Sequence, residues 1–289
     1  MEIRFNGENK MQNKIKVSTY LKIGFLAILS VVFLIPILLV FMNSFKSRFF
    51  ISTEPFNFPN AETFVGLQNY INGLTTIGFV GAFGRSIFIT IFSVLLIIVC
   101  ASMISWFIAR IKNKVTSTMY YVFAFSMIVP FQMVMYTMTY IVNLLHFDNI
   151  FGIIFVYLGF GAGLAVFMFT GFIKGVPLEI EEAATIDGCN PLQTYSLVVL
   201  PVLKPIVVTV AILNTMWIWN DYLLPYLILG TRNKTIPVAI QISMQGAYGS
   251  VDYGGFMAML VLAIIPIVIF YVSSQKYIIK GVVAGAVKG

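Results

Sequence analysis

The sequence predicts an all-α integral membrane protein with six transmembrane helices. Three observations carry this. Hydrophobic residues make up 59% of the 289 positions and charged residues only 10%, against about 25% charged in soluble domains. Six apolar runs each reach the roughly 20 residues needed to cross the hydrocarbon of a bilayer. A lone strand in lipid would leave its N–H and C=O groups unpaired, so every crossing run is read as a helix.

The runs lie at about 20–42, 86–109, 118–145, 151–173, 204–229 and 256–275. The first spans about 23 residues, longer than the 7–15 of a cleavable signal segment, and is read as a retained helix. Pro130 falls inside the third run, Pro225 inside the fifth, and Pro36 and Pro266 inside the first and last. Each removes one backbone bond, so kinks or local unwinding are expected there. The organisation is then an N-terminal segment 1–19, a six-helix domain 20–275 containing a polar interruption at about 177–201, and a tail 276–289.

Lysine and arginine set the orientation. Thirteen of the 18 fall on one side if the N-terminus is cytoplasmic: Arg4, Lys10, Lys14, Lys16, Lys22, Arg110, Lys112, Lys114, Lys174, Lys204, Lys276, Lys280 and Lys288. Lys46, Arg48, Arg85, Arg232 and Lys234 remain outside. The bias puts both termini inside. It puts the segments 43–85 and 230–255 outside, the latter a flexible loop with Gly230, Gly246, Gly249, Gly254 and Gly255. The net charge of +7 is dispersed in short clusters between apolar runs, which fits topology rather than nucleic-acid binding. Cys100 lies in an apolar run and Cys189 in the polar interruption, so no disulfide is expected, and one His with two distant Cys builds no metal site.

The interruption carries the most information. Pro177 can open a helix. Glu179, Glu181 and Glu182 follow in its first turn, where carboxylates suit the positive dipole end. Ala183 and Ala184 favour the helix and add no bulk, Gly188 can end it in a left-handed conformation, and Asn190-Pro191 makes a turn. A short helix outside the bilayer results, with a smooth face that another surface can approach. An ordinary interfacial helix accounts for the same pattern. No Gly-x-x-x-x-Gly-Lys-[Ser/Thr] occurs in the sequence, so no phosphate cradle is expected. No His-Asp-Ser or paired-carboxylate set falls at a common depth either, and the chain is not read as an enzyme.

Glu182-Ala183-Ala184, then Gly188, Val198, Leu200 and Pro201 at fixed spacing, resemble the signature of permease subunits of ATP-binding-cassette (ABC) importers. The aliphatic position is Val198 where that family commonly has Ile. Asp187 before the glycine and the aromatic Tyr195 look like its carbohydrate branch, the maltose-type, multiple-sugar and raffinose-like permeases. The tail Gln275 to Gly281 with Ala284 to Gly289, and Trp219-Asn220-Asp221-Tyr222, are similar to the same branch, with Asp221 where Glu is common. The resemblance covers about residues 15–289.

The resemblance implies a type I ABC importer permease fold in a bacterial cell membrane. It implies a coupling role for Glu182, Ala183, Ala184, Asp187, Gly188, Leu200 and Pro201, seated in a cleft of a cytoplasmic ATPase dimer. It implies an ATPase-docking tail at Gly285, Lys288 and Gly289. ATP and Mg would be bound by the ATPase, with no cofactor on this chain. The other partners would be a homologous second permease and an extracytoplasmic sugar-binding protein. The loop 230–255 would probe that binding protein.

Substrate-path candidates come from residue type. Sugars need aromatic stacking and polar groups for hydroxyls. Asn214, Trp217, Asn220, Asp221 and Tyr222 supply both, and Asn214, Trp217 and Asp221 are spaced to share a helix face. Gln132 and Tyr136, four apart, share a second face. Interhelical hydrogen bonding is the competing account of all of them. Two other functions fit less of the sequence. A secondary transporter working alone needs buried ionisable groups, and Asp221 is the only acid inside a predicted span. A permease for glycerol phosphate needs cations in its cavity, and no Lys or Arg lies deep in a predicted span.

Overall fold

The computed structural model describes the backbone of residues 2–76, 78–245 and 251–286, and the side chains of 19–75, 78–244 and 251–275. Among these residues the chain is helical, and its one extended pairing is a bridge between Lys46 and Phe64. Four helices are long and apolar enough to cross a membrane, and up to six if each of two bent pairs is one span. Helix α1 (Glu2–Asn43) contributes the span Thr19–Asn43. Two short helices, α2 (Arg48–Thr53) and α3 (Gln68–Thr76), follow. The second span is α4 (Phe79–Arg110).

The second span starts at Phe79 rather than at 86, and Arg85 explains why. A charge in an apolar run reads as a boundary, yet Arg85 Nε donates to the Lys234 carbonyl at 2.9 Å, so the helix continues through it. The third run is not one helix. It divides into α5 (Lys114–Ser126) and α6 (Phe131–Leu144), bent by 106°. Pro130 stands at the break; it lacks an N–H and steers the residue before it away from helical angles. Helix α7 (Gly152–Ile173) is the fourth run, close to its expected bounds.

The interruption holds α8 (Glu179–Ile186) and α9 (Pro191–Val202), and α9 meets α10 (Lys204–Asn220) at a 77° bend. The fifth run ends as a helix at Asn220 and resumes as α11 (Leu223–Leu229). The region 230–255 is more than a loop. It contains α12 (Ile236–Gln245), too short to have stood out as a span, while Gly246 and Gly249 lie outside the described residues. The last helix, α13 (Tyr253–Ala286), supplies the span Tyr253–Gln275.

Helix α7 sits at the centre, packed along α4 and against α5, α10 and α11. The core runs through Ile89, Ile97, Ile153, Tyr157, Val166, Phe169, Leu203 and Val210. Small residues let these backbones approach, as membrane helices require: Ala101, Ser102 and Ser105 on α4, and Gly161, Ala162 and Ala165 on α7, are all buried. Ser105 Oγ donates to the Val166 carbonyl at 3.2 Å across this contact.

Gly161 marks a close approach between α7, α4 and α10. A Cβ there would lie 2.5 Å from Ile97 Cδ1 and 2.9 Å from Asn214 Oδ1. Gly161→Val is therefore expected to cost roughly 1–3 kcal/mol of overpacking. It should lower the melting temperature of the detergent-solubilised protein by several degrees, read as loss of monodispersity on heating. A melting curve equal to wild type would refute the close approach.

Candidate functional site

Two groups of residues stand out: the α8–α9 segment and the C-terminal end of α10. In α8 the acids Glu179, Glu181 and Glu182 occupy the first turn. The helix begins at Glu179, two residues after Pro177. It stops where Gly188 adopts φ +85°. Cys189 N donates to the Ala184 carbonyl at 3.0 Å, and Gly188 N to the Thr185 carbonyl at 3.1 Å. These two bonds form a Schellman stop, which a glycine makes without a Cβ penalty. Asn190 then starts α9 with a reciprocal cap: its Oδ1 accepts from Gln193 N, and Gln193 Oε1 accepts from Asn190 N, both at 2.9 Å. Residues Thr194–Val199 continue as a π-helical turn.

The segment is fixed to α4 by side chains far from it in sequence. Arg110 and Glu181 form an ion pair at 2.7 Å. Trp106 Nε1 donates to the other Glu181 oxygen at 2.8 Å, and an Arg110 guanidinium N–H donates to the Val176 carbonyl at 3.1 Å. One helical turn further along α4, the Ser102 and Tyr195 hydroxyls are 2.7 Å apart, and the Trp106 and Tyr195 rings lie 5.9 Å apart. Ser102, Trp106 and Arg110 are four residues apart, so one stripe of α4 holds both α8 and α9. The signal was present in the sequence as an i, i+4, i+8 polar-aromatic stripe on an otherwise apolar span. By sequence alone Arg110 counts only toward topology.

The predicted coupling residues divide by exposure. Glu182, Ala183, Asp187, Gly188 and Pro201 are exposed, as are the neighbouring Ile186 and Leu192. Ala184 is buried at 6%, so it packs inward and does not belong to the face open to a partner. Leu200 is half-buried against the core. Of the tail, Gly285 lies within the backbone of α13, and Lys288 and Gly289 lie outside the described residues.

In the second group, α10 ends at Asn220, so Asp221 does not share a helix face with Asn214 and Trp217. Asp221 joins two helices instead. Its Oδ1 accepts from Leu223 N at 3.1 Å and Leu224 N at 3.4 Å, and its Oδ2 accepts from the Tyr157 hydroxyl at 3.0 Å. The Tyr157 ring meets Trp217 edge-on at 5.4 Å. Tyr157 thus gathers Trp217 and Asp221, a role no residue-type argument assigned to it. Asn214 lies apart, buried at 3%, with its Nδ2 donating to the Val210 carbonyl at 2.9 Å. Asn220 is exposed, and Tyr222 stacks on Tyr226 at 5.3 Å. Gln132 and Tyr136 share an exposed face of α6. Among the described residues, no group of His, Cys, Asp and Glu is arranged to hold a metal ion.

Comparison with known proteins agrees with this architecture. Residues 93–283 match the family described as binding-protein-dependent transport system inner membrane component. The chain is 36% identical to the probable starch degradation products transport system permease protein AmyC of Thermoanaerobacterium thermosulfurigenes, over 95% of this chain and 99% of that one. It is also 36% identical to the multiple sugar-binding transport system permease protein MsmG of Streptococcus mutans, over 96% and 100%. It is 31% identical to the melibiose/raffinose/stachyose import permease protein MelC of Bacillus subtilis, over 72% and 76%. In fold it is similar to a chain of a crystallised bacterial ABC transporter involved in the import of the acidic polysaccharide alginate. The TM-score is 0.75 at 21% identity, covering 91% of this chain and 96% of that one.

Proposed function

The chain belongs to the binding-protein-dependent transport system inner membrane component family, and from that premise we propose that it is one permease subunit of an ATP-driven oligosaccharide importer. It forms half of the translocation path with a homologous second permease. A cytoplasmic ATPase dimer binds ATP and Mg, and an extracytoplasmic binding protein delivers the sugar. Both termini and α8 face the cytoplasm, as the Lys and Arg distribution supports. The names of three relatives, which concern starch products, multiple sugars and raffinose, support an oligosaccharide as cargo.

One observation carries the coupling role: α8 is exposed on one side and anchored to the span α4 on the other. Ile186 is 86% exposed at the end of a helix outside the apolar runs. An apolar side chain in that position gains by entering a partner's cleft. Glu181 on the opposite side binds Arg110 and Trp106 of α4. A push on α8 from closing ATPases is therefore delivered to a 32-residue helix in the core. Switching between inward-open and outward-open states needs such a rigid connection. The tail at Gly285, Lys288 and Gly289 adds a second ATPase contact.

The test is reconstitution of the chain with its second permease, ATPase and binding protein in proteoliposomes. Sugar-loaded binding protein should stimulate ATP hydrolysis, and Glu182→Lys should remove the stimulation. Sugar uptake by this chain alone would overturn the proposal. Within the same assay Trp217→Ala should raise the apparent KM for sugar roughly threefold to tenfold, the weight of one lost aromatic contact. Asn214→Ala should leave the KM unchanged and lower the melting temperature, because Asn214 is a buried packing residue. An unchanged KM in Trp217→Ala would assign Trp217 to helix packing with Tyr157.

A further inference from the structure

We propose that a basic recess at the membrane boundary, between the ends of α4 and α7 and the start of α5, binds the phosphodiester headgroup of an anionic phospholipid. The recess has a volume of about 560 Å³ and is lined by Arg110, Lys112, Lys174, Tyr120 and Tyr121, with the hydroxyls of Thr116 and Ser117.

Charge decides what it can hold. Arg110 already pairs with Glu181. Lys112 and Lys174 have no carboxylate within ion-pair distance among the described residues. Lys174 Nζ stands 5.2 Å above the Tyr120 ring, which holds the ammonium in place without neutralising it. Thr116 Oγ1 donates to the Ile111 carbonyl at 2.6 Å and Ser117 Oγ to the Asn113 carbonyl at 3.0 Å, so both hydroxyl protons are engaged within the chain. Two uncompensated positive charges in one concavity call for an anion.

Position decides that the anion is a lipid headgroup. Arg110 is the last residue of the span Phe79–Arg110, and Lys174 follows the last residue of the span Gly152–Ile173. The recess therefore opens where hydrocarbon gives way to headgroups. Ile111, 42% exposed, is part of its lining, and Phe107, 45% exposed, lies one turn back along α4. Tyr121, 69% exposed, has the amphipathic ring that favours this level. Basic pockets between spans at the membrane surface are suited to anionic headgroups, each Lys or Arg strengthening the attraction. A soluble phosphate would find the charges but no use for the apolar flank.

This inference does not depend on the transport role, and its readout is lipid retention. The full chain in its complex is placed in nanodiscs of equal phosphatidylglycerol and phosphatidylcholine, and the lipids released with it are measured by native mass spectrometry. Phosphatidylglycerol should be enriched. Lys112→Gln with Lys174→Gln should lower that enrichment roughly thirtyfold, and Lys112→Arg with Lys174→Arg should keep it. In a labelling arm, phosphatidylglycerol should shield both lysines from acetylation, while inorganic phosphate in pure phosphatidylcholine discs should not. Equal enrichment in the Gln variant overturns the proposal. Equal shielding by free phosphate assigns the site to a soluble anion and also overturns it. Shielding that comes only from added ATPase makes the recess a protein contact, which overturns it as well.

Discussion

Gly188→Pro is expected to abolish sugar uptake while membrane insertion stays at the wild-type level. Gly188 sits at φ +85°, whereas proline fixes φ near −65°. The Gly188 N–H bond to Thr185 is removed outright, and the Cys189 bond to Ala184 cannot form once the backbone is turned the other way. The helix then loses its stop, and the Asn190–Gln193 cap that aims α9 is displaced. Tyr195 is drawn from Ser102, and α8 no longer lies at a fixed angle to α4. None of this alters the length or hydrophobicity of an apolar run, so insertion should be unaffected. Gly188→Ala should be milder, since a left-handed alanine costs roughly 1–2 kcal/mol. Ala184→Leu should resemble the proline variant, because Ala184 is buried and has no room for three more carbons. Uptake in whole cells beside an immunoblot of the membrane fraction checks the series. Normal uptake in Gly188→Pro would sink the coupling role of α8.

The helix carrying Gly188 was legible in the sequence because its signals are local. Three acids at the start and a glycine at the end specify a short helix whatever surrounds it. The apolar runs were legible for a similar reason: hydrocarbon thickness selects length. What could not be read depends on distant partners. Arg85 looked like a boundary because the Lys234 carbonyl that satisfies it lies 149 residues away. Asp221 looked like a side chain on a helix face because nothing in α10 announces that the helix ends at Asn220. Pro130 marks a break in the sequence, but a proline does not predict the 106° angle between the two helices. Ala184 illustrates the same limit from the other direction. Two adjacent alanines are chemically alike, and only the tertiary contact sends one inward and leaves the other exposed.

The contact between Glu181 and Arg110 spans 71 residues and supports the second large effect. Arg110→Ala and Glu181→Ala should each lower uptake at least tenfold and destabilise the chain by about 2 kcal/mol. Each removes one partner of an ion pair whose side chains are only 18% and 11% exposed. Glu181→Ala also strands the Trp106 N–H, and Arg110→Ala leaves a carboxylate held by Trp106 alone. The double variant should be no worse than the poorer single one, because no uncompensated charge then remains. The resulting non-additivity should be about 1–3 kcal/mol in melting experiments. Trp106→Phe keeps a ring against Tyr195 and loses only the N–H, so it should cost about 1 kcal/mol. The functional readout separates anchoring from simple stability. With α8 detached from α4, ATP hydrolysis in proteoliposomes should continue at its basal rate and no longer respond to loaded binding protein. A double variant whose losses are the sum of the two single ones would show that Arg110 and Glu181 act independently. The anchor between ATPase contact and membrane helix would then have to lie in Ser102 and Tyr195 instead.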